Sequence, residues 1–156
     1  MNTQESTDKR DAALSFLKAN DLGVLGTVSA AGAPRARAVY YSGNDDFSIQ
    51  FLTYANTRKA QDLAANPIAA FVISDRDKPA TLQMEGRVID ETETATLGSS
   101  MERLLDTLRA KGDRFAPITR LDPAVIRYYK LVPTWIRWGD FEIGEKTAEV
   151  MTDIEA

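Results

Sequence analysis

Most β-rich runs in this chain are joined by a turn signal rather than by a helix-length spacer, and that spacing restricts the sheet before any residue is given a role. "LGVLGTVSAAGAPRARAVYYS" holds two such runs around "AAGAP", the pattern of a hairpin. "DDFSIQFLTY" follows the turn signal "SGNDD" and alternates Phe47, Ile49 and Phe51, which predicts a third strand. "IAAFVIS" and "ATLQMEGRVID" predict a fourth and a fifth, with Gly86 marking a bulge or a close backbone approach. "VIRYYKLVPTWIRWGDFEIG" predicts two more, broken at Pro133. About seven strands in near-direct succession favour a mainly β, antiparallel barrel over a doubly wound sheet, whose parallel strands need long crossovers.

Three helices are inserted among these strands. The first spans Thr7 to Asn20, with Ala13, Leu14, Phe16 and Leu17 on one face. The second starts near Thr57 and stops before Asn66-Pro67, where proline cannot continue it. The third covers residues 92 to 110, capped by Thr92 and followed by Gly112. With 156 residues and 44% hydrophobic content, the expectation is a single domain over 1–156, with 1–8 and 145–156 as loose tails.

The sequence contains neither cysteine nor histidine. That removes the usual zinc, copper and haem sites and the Ser-His-Asp and Cys-His nucleophile systems. Any enzymatic chemistry then falls to a bound cofactor or to Asp, Glu, Lys or Tyr, and no metal site is expected. The polar start "MNTQESTDKRDAALSFLKAND" and the lack of a membrane-length apolar run are read as a cytoplasmic protein without membrane partners. A net charge of -4 argues against nucleic acid as a partner but leaves room for a local basic pocket.

Such a pocket is suggested by "NTRKAQ", residues 56–61. The stretch sets Arg58 and Lys59 at the start of a helix, where the backbone dipole disfavours cations. Free N–H groups at that end, with an arginine fork and a lysine charge beside them, make an anion site; the competing reading is an exposed, solvated pair. Asp62 follows at a spacing that allows it to neutralise the pair in part. In "APRARAVYY", Arg35 and Arg37 share one strand face, and Arg37 is placed to converge on the same anion.

The segments "GVLGTVSAAGAPRARAVYY", "FLTYANTRKAQDLAANP", "LQMEGRVID" and "YKLVPTWIRWGDF", in this order, resemble the pyridoxamine 5'-phosphate oxidase-like family of flavin-binding split barrels, over roughly residues 10 to 142. The most specific piece is [ST]-R-K-x-x-x-[LI]-x-x-N-P, met by Thr57, Arg58, Lys59, Leu63, Asn66 and Pro67. An upstream G-x-P-x-x-R-x-V is met by Gly32, Pro34, Arg37 and Val39. The resemblance implies a Greek-key-like antiparallel split barrel, and a homodimer with flavin mononucleotide (FMN) at the interface. It assigns the phosphate to Arg37, Arg58 and Lys59, and the ring and ribityl chain to Ala38, Val39, Tyr40, Leu52 and Thr53. Thr81 or Gln83 is implied as a polar side chain against the flavin, and Trp138 as the aromatic that closes the cleft.

This sequence also departs from the family pattern. Pyridoxamine phosphate oxidases carry a lysine where Ser42 stands, and an Arg-x-His motif after the tryptophan, where "WGDFEIGEK" has neither residue. Their substrate loop is reduced here to "KGDRFAPITRLDP". Oxidation of B6 vitamers is therefore not expected. The expectation is an FMN-dependent oxidoreductase passing hydride from a donor such as NAD(P)H to a small substrate. The alternatives are a non-catalytic flavin reservoir or sensor, and a deazaflavin F420-binding reductase. No catalytic residue is assigned; Tyr40, Tyr41, Tyr128, Arg114 and Arg120 are candidates for substrate contact only.

Overall fold

The computed structural model describes residues 3–93, 99–110, 125–142 and 150–156. Its elements are α1 (Thr3–Ala19), β1 (Leu22–Val28), β2 (Pro34–Tyr40), β3 (Ser42–Gly43), β4 (Ile49–Tyr54), α2 (Arg58–Ala65), β5 (Ile68–Ser74), β6 (Ala80–Asp90), α3 (Ser99–Ala110), β7 (Ile126–Asp140) and β8 (Met151–Asp153). All strand pairs are antiparallel, in the order β2-β1-β5-β6-β7-β4-β3 with β8 on β7. The sheet curls into a half-barrel, so the expected mainly β, antiparallel split barrel is what the chain forms.

Strand alternation decides the two sheet faces. Leu25, Phe71, Ile73, Leu82, Met84, Ile136 and Trp138 point inward and are buried. From the open side, α1 plugs the barrel with Ala13, Phe16 and Leu17, all buried. Phe16 meets Trp138 at 5.0 Å between ring centroids, and the Tyr41 hydroxyl donates to the Leu17 carbonyl at 2.8 Å. The hairpin expected at "AAGAP" forms, with Gly32 supplying the left-handed backbone at φ 82°.

Four expectations differ from what the chain does. Pro133 does not break the last strand, because β7 runs unbroken from Ile126 to Asp140. Its pairing with β6 shifts register at Glu85/Gly86, and Pro133 lies between the part of β7 paired to β4 and the part paired to β8. Among the described residues that second edge of β7 has no ladder partner at Pro133, so a missing N–H toward it costs little. Gly86 carries the bulge as expected, and a Cβ there would stand 2.2 Å from the Val132 carbonyl oxygen.

The helix described before β7 begins at Ser99, and the Thr92 hydroxyl, expected as its cap, donates to Asp90 and accepts the Tyr128 N–H at 3.0 Å. Residues 94–98, Gly112 and the 111–123 segment lie outside the described residues. The C-terminal tail is tied down where it is described: β8 pairs with β7, Ile154 is buried, and the Glu155 carbonyl accepts from Arg10. At the other end, α1 already includes Thr3 to Asp8.

Candidate functional site

At one end of the barrel, the hairpin β1–β2 meets the N-terminus of α2. The sequence makes this helix locally: Thr57 is its N-cap, accepting the Ala60 N–H at 3.3 Å, and Ala60, Asp62 and Leu63 form its buried face. The Thr57 hydroxyl donates to the Tyr54 carbonyl at 2.9 Å and lies 3.1 Å from the buried Thr53 hydroxyl. The N–H groups of Arg58 and Lys59 have no acceptor within the helix, as in any first turn.

The register Thr27↔Arg35 and Leu25↔Arg37 sends both arginines toward the barrel interior at this rim. There they meet Asp62, which is only 2% exposed. Arg35 Nη1 donates to Asp62 Oδ1 at 2.6 Å, and Arg37 Nη2 to Oδ2 at 3.2 Å. The Thr27 hydroxyl donates to the same Oδ2 at 2.7 Å and accepts from Arg37 Nη1. Burial would raise the Asp62 carboxyl, but the Thr27 and Arg37 hydrogen bonds and the two guanidinium charges outweigh it. They hold the group below its ordinary value and hence ionised.

Lys59 is half-buried, and its ammonium is pushed below the ordinary lysine value, first by burial and then by the charge of Arg37. Neither Arg58 nor Lys59 has an acidic partner among the described residues, and the only carboxylate paired with Arg35 or Arg37 there is Asp62. Arg35, Arg37 and Lys59 therefore gather around one carboxylate, a local surplus of two positive charges, with the exposed Arg58 next to them in the chain. A phosphate dianion at the first turn of α2 fits that surplus and the free N–H groups, so the residues present suit a phosphate-bearing cofactor.

The sequence-predicted residues thus fall into separate groups. Arg37 and Lys59 come together at the rim, Thr53 lies beside the α2 cap Thr57, and Arg58 is exposed at the first turn of the helix. Ala38 and Gln83 face outward on one cross-strand row, Ala38–Val24–Val72–Gln83–Arg137, and Thr81 is one row further, bonded to Ser74 and the Ile73 carbonyl. Val39 is buried in the barrel, whereas Tyr40 and Leu52 lie on the opposite face under α3, with Leu104, Leu108 and Ile126. Trp138 lies in the core against Phe16, 3% exposed, because its register with Leu82 turns it inward. Trp135 is the tryptophan that reaches the outer face, beside Glu85 and Gln83. Tyr128 joins the α3 cluster, Tyr41 is a core residue, and Arg114 and Arg120 lie outside the described residues.

Sequence reasoning paired Asp62 with its helix neighbours Arg58 and Lys59, and gave Thr27 no role. Both belong to the arginine cluster, and only the docking of α2 on β1 reveals it. The single cue was an acid on the same side of the helix as Leu63. Beside the cluster, a groove of about 390 Å³ runs along the outer face between Gly26, Pro34, Arg35, Ala36, Ile68, Ala70 and Glu85.

The profile of the pyridoxamine 5'-phosphate oxidase family matches residues 10–129. A pyridoxine/pyridoxamine 5'-phosphate oxidase of Burkholderia ambifaria is 30% identical over 128 residues, 76% of this chain and 60% of that protein. The chain thus spans less than two thirds of the length of this relative. Among solved structures, a Clostridium acetobutylicum protein related to general stress protein 26, of the pyridoxinephosphate oxidase family, superposes with a TM-score of 0.67. The two are 15% identical, over 95% of this chain and 94% of that one. An F420 reductase superposes with a TM-score of 0.61 at 24% identity, over 78% of this chain and 93% of its own. With the arginine-lysine rim at α2 and a family match covering most of its length, the chain belongs to the pyridoxamine 5'-phosphate oxidase-like family.

Proposed function

We propose that this chain is an FMN-binding oxidoreductase that works as a homodimer on a small substrate. The observation that carries the reading is the excess positive charge at the barrel rim, where, among the described residues, Arg58 and Lys59 have no acidic partner and Arg37 shares Asp62 with Arg35. Arg37 and Lys59 would hold the flavin phosphate, with Arg58 and the first-turn N–H groups of α2. Bound there, the flavin supplies the hydride acceptor and donor. The protein's share is to fix the phosphate, shield the ring and exclude water.

The ring is best accommodated on the small-residue outer face next to the clamp, where Gly26, Ala36 and Ala70 leave a groove and Ala38 and Gln83 share a neighbouring row. That face is open in a single copy, and a second copy would close it. NAD(P)H as electron donor and a cytoplasmic location remain part of the proposal. F420 is disfavoured as cofactor because the overall charge of -4 leaves few cations for its acidic tail.

The test is an absorption spectrum of the purified protein with added FMN, followed by anaerobic NADPH. Flavin bands that bleach support an oxidoreductase. Bound flavin that persists through a panel of donors favours the reservoir or sensor reading, and no FMN uptake overturns the proposal.

A further inference from the structure

Asp62 is the feature of this rim that a simple anion site does not explain. A carboxylate within reach of a phosphate dianion weakens the attraction, and an anion site built only for charge would omit it. Yet Asp62 is 2% exposed and takes three hydrogen bonds, one from Arg35 on Oδ1 and two, from Thr27 and Arg37, on Oδ2. The Thr27 hydroxyl closes the arrangement by accepting from Arg37 while donating to Asp62. Both terminal nitrogens of Arg37 are thereby fixed against one wall.

A guanidinium has five N–H donors in a rigid plane, so fixing two of them fixes the direction of the other three. From these contacts we infer that Asp62 and Thr27 are positioning residues for the cofactor phosphate: they lock the guanidinium plane of Arg37 so that its remaining donors are presented beside Lys59, and Arg35 shares the lock. The inference rests on the proposed phosphate clamp and adds the part that aims it. The low-lying carboxyl of Asp62 fits this role, because the lock stays charged across the neutral range.

Charge and geometry give opposite signs for one substitution. Asp62→Asn removes a negative charge from the rim, so a purely electrostatic role predicts tighter FMN binding. Positioning predicts weaker binding, because an amide cannot accept from Thr27, Arg35 and Arg37 together. A merely structural ion pair, which ties α2 to β1, would lower stability without separating FMN from riboflavin, since only FMN carries the phosphate.

The experiment is fluorescence titration of the flavin-free protein with FMN and with riboflavin, with inorganic phosphate as competitor. The proteins are wild type, Asp62→Asn, Thr27→Val and Thr27→Ser, each checked for folding by circular dichroism. The expected result is a wild type that prefers FMN and yields FMN to phosphate. Asp62→Asn and Thr27→Val then lose roughly ten- to a hundredfold in FMN affinity while riboflavin affinity holds, and Thr27→Ser restores the preference. Should Asp62→Asn not fold, the Thr27 pair carries the same comparison. A wild type that prefers FMN, with variants that bind it equally well or better, overturns the positioning role and leaves the clamp standing. A wild type that does not distinguish FMN from riboflavin overturns the clamp itself.

Discussion

Lys59 sits where burial and the charge of Arg37 both oppose its proton, and two consequences follow at the scale of this residue. In the flavin-free protein its folded pKa lies below the unfolded one, so between those two values the unfolded chain binds more protons. Stability then rises with pH across that window, which ends near the ordinary lysine value of 10.5. A bound phosphate favours the charged ammonium, so binding raises the Lys59 pKa and takes up protons at alkaline pH. FMN affinity is therefore expected to fall as pH climbs through the Lys59 pKa of the flavin-free protein, and Lys59→Met is expected to flatten that slope in the same titration. Replacing Arg58 and Lys59 together by alanine should weaken FMN by about 2–4 kcal/mol, on the basis of the usual loss for hydrogen bonds to charged groups. Unchanged affinity by isothermal titration would defeat the clamp. Asp62 gives a slope of the same sign at the acid end: its depressed pKa adds stability above the unfolded carboxyl value, lost as pH falls through the folded one. Asp62→Asn is expected to abolish that acid limb in urea titrations.

At the scale of elements, the turn residues and alternation were legible because each is a local property. The Thr57 cap, the stop at Asn66-Pro67, the "AAGAP" hairpin and the Gly86 bulge follow from backbone preferences of single residues, and each forms where the pattern puts it. Pro133 was misread because the rule against strand proline concerns a missing ladder donor, and which edge of β7 lacks a partner is decided only when β4 and β8 dock at its two ends. The same limit hid the arginine lock. A helix heptad shows that Asp62 lies near Arg58, but not that α2 turns it onto strands β1 and β2. Gly86 gives the element-scale prediction. A side chain there would meet the backbone of Val132 and Pro133, which cannot swing away, so Gly86→Ala should cost about 1–3 kcal/mol of unfolding free energy by urea denaturation. Gly26 is the control in the same sheet, since a Cβ there finds Ala70 at 3.6 Å, an ordinary contact.

The whole molecule has an asymmetry that the strand pattern alone could not show. Its inner sheet face is filled by α1, whereas the outer face of β2, β1 and β5 leaves Leu22, Val24 and Ile68 at 47%, 40% and 48% exposure around Gly26, Ala36, Ala38 and Ala70. Large aliphatics beside small residues form a smooth apolar surface, of the kind that another protein surface covers. The groove next to the phosphate clamp opens on this same face, so dimerisation and flavin binding are expected to be coupled: a second copy would cover both. Val24→Glu places a charge in the middle of that face while its side chain remains in solvent in the single copy, so the fold should survive. The expected outcome is a shift from dimer to monomer by sedimentation velocity, together with a loss of FMN affinity that exceeds any change in thermal stability. A Val24→Glu protein that stays dimeric, or a monomer that binds FMN as tightly as wild type, would separate the interface from the cofactor site. The ring would then have to lie against one copy alone, beside Arg35 and Glu85 at the edge of the groove.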